Sequence, residues 1–398
     1  MISKKLDTST TPKPRPLGRG TMRRSVSTLS IPQSLGRGSR RVDYKILFLC
    51  TALSCIGLIC ISSSTNPGLN SLLAGPKNNL VVKQVFWMVL ALTMFSVSFI
   101  AGYQKFLDFA ILFYILNFIF LSALLILAPV ISGAQRWLTI WGLNFQPAEF
   151  AKLGLILVLV QYFITRQERI KEFKIFLAAF VLLAIYTFLI FQQPDLGSAL
   201  ILVPLFLVIS VCAGIKKRYI IALLGLVIIF SPIFWMILKD YQRQRLLVFL
   251  NPNADPLGAG YTVIQSKIAI GSGGLFGKGW LKGSQSQFNF LPESHTDFIF
   301  ALFCEEWGWL GAVVVILLYY FLIKRILRIA VLSHNRAAKL LAIAVATNLF
   351  SHVFTNIGMT LGILPVVGIP LPFISYGGSN LMVNMISLGM VASIAKDI

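Results

Sequence analysis

Apolar stretches of about 20 residues recur along nearly the whole chain, and no other feature constrains its fold as strongly. A helix of that length crosses the hydrocarbon core of a bilayer. Of the 398 residues, 57% are hydrophobic and only 12% are charged, whereas soluble globular proteins carry about 25% charged residues. The sequence therefore predicts a polytopic membrane protein. It excludes a soluble enzyme, a disordered scaffold and a disulfide-stabilised secreted module.

Ten spans are predicted, which makes the fold class an all-α integral membrane protein. They are placed at residues 45–63, 81–102, 108–130, 149–165, 173–191, 198–214, 219–238, 297–323, 338–360 and 377–395. Lys and Arg concentrate before the first span and in the short connections after the even-numbered spans. Because positive charge accumulates on the cytoplasmic side, both termini are expected in the cytoplasm. One large hydrophilic insertion, residues 239–296 between the seventh and eighth spans, then faces outward.

The net charge of +21 is explained by this topology, so no nucleic-acid partner is expected. Residues 1–43 are rich in Ser, Thr, Pro, Gly and Arg and cannot bury a core. They predict a disordered basic tail that lies against anionic lipid headgroups and is dispensable for chemistry. Residues 44–398 form the predicted membrane domain. The five cysteines lie within or beside apolar runs and are interpreted as small hydrophobic side chains buried in lipid or between helices, without a metal site or a disulfide.

The acidic residues are few and unevenly placed. Eight of the 14 lie at the predicted outer ends of spans, inside the eighth span or in the insertion: Glu149, Asp195, Asp240, Asp255, Glu293, Asp297, Glu305 and Glu306. Ionisable groups at membrane depth usually face a bundle interior or a polar cavity. This distribution favours a polar site that opens outward over a proton path through the membrane. The other six, Asp43 among them, are expected to be solvated charges.

Two pairs of charged residues lie at or within predicted spans. Glu149 and Lys152 are three residues apart and share a helix face. A structural ion pair is the favoured interpretation, and direct substrate contact remains the alternative. Glu305 and Glu306 lie deeper, in the eighth span, and are expected to need partners from neighbouring helices.

The insertion combines a glycine-rich segment, Gly271–Gly279, with several cations. Its backbone N–H groups could bind a phosphate, although it is not a Walker loop, and a flexible loop is the alternative. Five cations, Arg243, Arg245, Lys267, Lys278 and Lys282, could surround a diphosphate. At the end of the insertion, His295 with Glu293 and Asp297 could hold a divalent ion.

Six motifs in order carry a family resemblance. They are GAQRW at 133–137, QPAEFAK at 146–152, QPDLGSA at 193–199, DPLGAGY at 255–261, LPESHTDFIF at 291–300 and PFISYGGS at 372–379. From about residue 44 to 398 the chain resembles the SEDS family of shape, elongation, division and sporulation proteins. The segment Gly279–Gln287 makes it more similar to the elongation members, RodA, than to the division members, FtsW. Asn251 departs from the Asp that RodA relatives often carry there.

This resemblance implies a ten-helix membrane fold and peptidoglycan glycosyltransferase activity. The substrate would be lipid II, an undecaprenyl-diphosphate-linked disaccharide peptide, polymerised with inversion at the outer face of the bacterial cytoplasmic (inner) membrane during cell elongation and rod-shape maintenance. The implied partners are a class B penicillin-binding protein, which crosslinks the glycan, and other elongation-complex membrane proteins. Two alternatives are a lipid II flippase and an FtsW-type division polymerase. A flippase needs a polar path to the cytoplasmic side, and the outward placement of the acids favours the enzyme.

The resemblance makes Asp255 the candidate general base, which would deprotonate the attacking sugar hydroxyl. Substrate binding is predicted for Arg136, Glu149, Lys152, Arg243, Lys267, Lys278, His295, Asp297 and Ser375. No tightly bound cofactor is expected, and a divalent cation (Mg or Mn) could assist departure of the diphosphate.

Overall fold

The structure is a computed structural model that describes residues 43–64, 80–127, 138–140, 143–258, 260–288 and 290–398. The predicted tail up to residue 42 and the predicted substrate-binding residue Arg136 lie outside the described residues. The described part of the chain is almost entirely helical.

Fourteen α-helices follow one another in the described residues. They are α1 Tyr44–Ser64, α2 Leu80–Ala101, α3 Tyr103–Asp108, α4 Ala110–Leu127, α5 Pro147–Thr165, α6 Phe173–Gln192, α7 Leu196–Ala213, α8 Lys217–Ile237, α9 Asp240–Leu250, α10 Tyr261–Ser272, α11 Ser284–Gln287, α12 Ile299–Leu332, α13 Arg336–Thr360 and α14 Gly378–Ile394. Eight helices are long and apolar enough to cross a membrane, and two shorter apolar helices cover Ala110–Ile126 and Gly378–Ile394. Together these ten match the ten predicted spans and confirm the fold class.

A short antiparallel hairpin precedes α5 and was not predicted. Strand β1 (Leu138–Ile140) pairs with β2 (Leu143–Phe145), with Leu138 opposite Phe145. The hairpin ends one residue before the helix, so it sets where the chain enters α5. Chain alternation places it at the same end of the bundle as the insertion, which is called the loop end below.

The core of the bundle is formed by α5 and α14, whose side chains are mostly buried. Helix α2 packs along α14, and α12 packs against α1 and α13. In contrast, Ile220 is the only buried residue among the described residues of α8. A helix that is apolar all round and exposed in the protein is suited to contact lipid. The free cysteines are likewise divided between the interior and the outer surface of the bundle. Cys50, Cys60 and Cys304 are buried, and Cys55 and Cys212 are exposed on apolar helices.

The insertion is largely folded into helices. It contains α9, a 3-10 turn at Pro252–Ala254, α10 and the single turn α11. Helix α10 packs against α12 and buries Val263, Ser266 and Ala269, whose spacing of three places them on one face. The insertion is therefore held against the bundle at the loop end.

Helix α12 is interrupted at Gly308, which has φ 66° and ψ −167°. This conformation breaks the helical hydrogen bonds, and the glycine-rich segment replaces them. The N–H of Trp309 donates to the carbonyl of Gly274 at 2.9 Å, and that of Leu310 donates to Leu275 at 3.2 Å. The segment Gly271–Gly279 is therefore fixed to α12, and the flexible-loop alternative is wrong. The helix also ends at Leu332, nine residues beyond the predicted span end at 323.

Asp43 corrects another expectation. Its carboxylate accepts a hydrogen bond from Nε of Arg325 at 2.8 Å, and its side chain is only 4% exposed. It also accepts from the backbone N–H of Lys45 at 3.2 Å at the start of α1. Asp43 therefore ties the start of α1 to α12 and is not a freely solvated charge.

Candidate functional site

A buried polar network joins α5, α13 and α14 inside the bundle. Nζ of Lys152 lies 2.6 Å from Oε1 of Glu149, with both side chains at most 3% exposed. The same Nζ lies 2.9 Å from Nε2 of His352. The amide of Asn380 donates to Oε2 of Glu149 at 2.8 Å. The charges compensate each other inside the protein, so the arrangement supports the ion-pair interpretation, and direct substrate binding by this pair stays a prediction.

Three of the motifs meet at the start of α5. The side-chain amide of Gln146 donates to Oδ2 of Asp195 at 3.1 Å, and its backbone N–H donates to the hydroxyl of Ser379 at 2.9 Å. The other oxygen of Asp195 accepts from the N–H of Ser198 at 3.1 Å and caps α7. Asp195 is 2% exposed. Its contacts are those of a residue that aligns two helix starts.

Three successive carbonyls hold the segment that enters α12. The carbonyl of His295 accepts from the N–H of Tyr376 at 2.9 Å, and that of Thr296 accepts from the hydroxyl of Ser375 at 2.6 Å. The carbonyl of Asp297 accepts from the side-chain amide of Asn356 at 2.9 Å. The predicted residues His295, Asp297 and Ser375 are thus brought together. Asn356, which also donates to Ile369 at 2.8 Å, was missed because a polar residue inside a span carries no motif signal of its own.

The side chain of His295 is half-buried beside this segment. Burial lowers the pKa of His295 from its ordinary value, and the charge of Glu293 opposes that shift. The carboxylate of Glu293 accepts from the hydroxyl of Thr296 at 3.0 Å. In the described ranges, no three potential metal ligands among His, Cys, Asp and Glu lie together. The predicted divalent cation stays a prediction.

Asp255, the predicted base, lies in a tight turn between the 3-10 helix and α10. Its Oδ1 accepts from the N–H of Gly258 at 3.0 Å, and its carbonyl accepts from the N–H of Gly260 at 3.0 Å. A Cβ atom at Gly260 would lie 2.2 Å from the carbonyl oxygen of Pro252, so the turn requires glycine there. The turn presents a half-exposed carboxylate at the loop end.

The five predicted cations of the insertion differ in their contacts. The guanidinium of Arg243 donates to the carbonyls of Trp235 and Met236 at 3.0 and 2.7 Å and so binds the end of α8. Lys278 is paired with Glu305, as described below, whereas Lys267 and Lys282 have exposed side chains. Substrate binding by Arg243 or Lys278 stays a prediction.

Glu305 and Glu306 are both buried at the start of α12, with different partners. Glu305 accepts from Nζ of Lys278 at 2.7 Å and from the N–H of Ser284 at 2.9 Å, both in the insertion. Glu306 accepts from the hydroxyl of Ser63 in α1. Glu306 therefore has a partner in the neighbouring helix α1, and Glu305 has one at the start of the short helix α11 and another, Lys278, outside any helix.

The fold and the polar residues gathered at its loop end define a multi-pass, all-helical membrane protein. The family model of the cell cycle proteins FtsW, RodA and SpoVE matches residues 44–398. The chain belongs to this family, the SEDS family that its motifs resemble.

Curated relatives from several bacteria are similar to the chain. The peptidoglycan glycosyltransferase MrdB of Escherichia coli is 47% identical over 282 residues, which cover 71% of this chain and 76% of that protein. The probable peptidoglycan glycosyltransferase FtsW of Geobacter metallireducens is 35% identical, with coverage of 89% and 95%. The peptidoglycan glycosyltransferase RodA of Treponema pallidum is 33% identical, with coverage of 88% and 97%.

Solved structures share the fold. A chain of a peptidoglycan synthase complex, described as coordinating polymerization and crosslinking, matches with a TM-score of 0.75 and 28% identity, covering 89% of this chain and 98% of that one. The rod shape determining protein RodA of Thermus thermophilus matches with a TM-score of 0.64 and 26% identity, with coverage of 89% and 97%.

Proposed function

We propose that this protein is a peptidoglycan glycosyltransferase that polymerises lipid II into glycan strands during cell elongation. The observation that carries the proposal is the family match over residues 44–398, together with relatives named as peptidoglycan glycosyltransferases. The described insertion contains the kinds of group that such a reaction needs: a half-exposed carboxylate held in a turn, and exposed cations.

The reaction is a direct displacement at an anomeric carbon. An acceptor sugar hydroxyl attacks, the bond to the lipid diphosphate breaks, and the carbon inverts. Asp255 takes the hydroxyl proton, because a carboxylate within hydrogen-bond reach of the hydroxyl can act as the general base. The N–H of Gly258 donates to Oδ1 of Asp255 and holds the carboxylate in the turn. No covalent enzyme intermediate is required.

Positive charge must stabilise the departing diphosphate. Lys267 in α10 and Lys282 after the glycine-rich segment are the proposed diphosphate-binding cations, because their side chains are exposed and accessible to a substrate. Arg243 and Lys278 already have protein partners, and their side chains are 33% and 30% exposed.

The site is proposed to face the extracytoplasmic side of the bacterial cytoplasmic membrane, which is where the positive-inside rule places the insertion. A class B penicillin-binding protein is the proposed partner for crosslinking. The similarity to a chain of a solved complex that coordinates polymerization and crosslinking supports this partner. The other elongation proteins remain proposals from the family resemblance.

The test uses purified full-length protein and fluorescent lipid II in detergent, with glycan polymer as the product measured. Asp255→Asn removes basicity and keeps the shape, so the polymerisation rate should fall by about 10²–10⁴-fold. Asp240→Asn is the matched control, because Asp240 is a 94%-exposed carboxylate of the same insertion. An inactive wild-type protein would contradict the proposed function, and an active Asp255→Asn variant would contradict only the base assignment.

A further inference from the structure

Three apolar side chains form an exposed surface where the insertion meets α12. Phe276 is 77% exposed, Leu275 and Trp309 are also exposed, and this surface is called the apolar patch below. A monomeric soluble domain rarely leaves such side chains together in water. The patch therefore calls for a covering surface.

The backbone holds the patch rigidly. Leu275 accepts a hydrogen bond from the N–H of Leu310, and Gly274 accepts one from the N–H of Trp309. On the other side of Phe276, the N–H groups of Lys278 and Gly279 donate to the carbonyls of Glu305 and Glu306, each at 3.0 Å. Leu275 and Phe276 are thus fixed against the break in α12. They therefore lie at about the same depth in the membrane as Gly308.

Two contacts between α1 and α12 give that depth. At one end, Asp43 binds Arg325, and at the other, Ser63 binds Glu306. Twenty residues separate Asp43 from Ser63, which is about 30 Å of helix and equals the hydrocarbon thickness of a bilayer. The charged Asp43–Arg325 pair marks one surface of the membrane. Glu306 therefore lies at the opposite surface.

The apolar patch lies at nearly the same membrane depth as Glu306. Trp309 is three residues after Glu306 in α12, and Phe276 is fixed beside the break at Gly308. Trp is enriched at the boundary between acyl chains and headgroups, and Phe and Leu enter this boundary from the apolar faces of interfacial segments. The exposed cation Lys282 lies six residues after Phe276 and suits contact with lipid phosphates. Depth, side-chain type and charge thus agree on one covering surface, the lipid bilayer.

We propose that Leu275, Phe276 and Trp309 form a membrane-interface anchor, in which a part of the insertion enters the bilayer at the headgroup boundary. The anchor holds the glycine-rich segment and Lys278 at the level of the lipid phosphates. It does not depend on the proposed enzymatic activity.

The test measures water and lipid access at one position. Phe276→Cys is made in full-length protein in which the exposed Cys55 and Cys212 are replaced by alanine, and the protein is placed in nanodiscs of phosphatidylcholine and phosphatidylglycerol. A charged thiosulfonate reagent should modify this thiol roughly tenfold or more slowly than the thiol of Asn253→Cys. Asn253 is an exposed polar residue of the same insertion and serves as the matched control.

A second measurement distinguishes lipid from protein cover. A fluorophore attached at Phe276→Cys should be quenched by lipids that carry a nitroxide near the headgroup, and one attached at Asn253→Cys should not. The proposal requires both results. Equal modification rates would show a patch in water, and slow modification without lipid quenching would show a patch covered by protein, and either result overturns the anchor. Leu275→Cys repeats both measurements if Phe276→Cys does not purify as a folded protein.

Discussion

Removing one charge of the buried Glu149–Lys152 pair should destabilise the protein more than removing both. Glu149→Gln leaves the Lys152 ammonium in a site that is at most 3% exposed, and Lys152→Met leaves the carboxylate there. Breaking a buried pair in this way costs about 3–5 kcal/mol. In the double variant no charge is left uncompensated. The amide oxygen introduced by Glu149→Gln can still accept from Asn380. The contacts of Lys152 with Glu149 and with His352 are lost, at about 1 kcal/mol each.

The coupling energy of the double-mutant cycle should therefore be about 3 kcal/mol or more. The assay is the free energy of unfolding in detergent micelles during titration with sodium dodecyl sulfate, followed by circular dichroism. The pair Asp240–Arg243 is the matched control, because it has the same spacing of three but an N–O distance of 3.6 Å and a 94%-exposed aspartate. Its cycle should give less than about 1 kcal/mol. Additive effects of Glu149→Gln and Lys152→Met would refute the reasoning.

Two further predictions test the break in α12 and the entrance to it. Gly308→Ala should cost about 3 kcal/mol in unfolding free energy, because its φ is 66° and a Cβ atom would lie 2.3 Å from the nitrogen of Gly277. Gly225→Ala, whose Cβ meets open space in α8, is the control, and an equal effect of both changes would argue against the break. For His295, burial lowers the pKa, so the unfolded state binds the proton more readily, and stability should fall as the pH drops through about 6.5. His295→Gln should flatten this decline relative to the exposed control His334→Gln, and an unchanged slope would contradict the assignment.

The number and placement of the spans were predictable from the sequence because the length of an apolar run is a local property. All ten predicted spans correspond to helices, and most boundaries agree within a few residues. The spacing of charged residues was also informative: Glu149 and Lys152, three residues apart, lie on one face of a helix and do pair. The motifs identified the family for the same reason, since each is a contiguous segment.

Partners distant in the sequence were decided only by the tertiary structure. Asp43 binds Arg325 across 282 positions, although the sequence indicated a solvated charge, and Glu305 binds Lys278 across 27 positions, a partner that the sequence did not name. The break at Gly308 was equally hidden, because glycine alone does not end a helix and the replacing carbonyls come from Gly274 and Leu275. Hydropathy is a sum along the chain, so the sequence gives it directly. The partner of a buried charge or of an unpaired backbone N–H is the group that tertiary packing places within about 3 Å, and that group can come from any part of the chain.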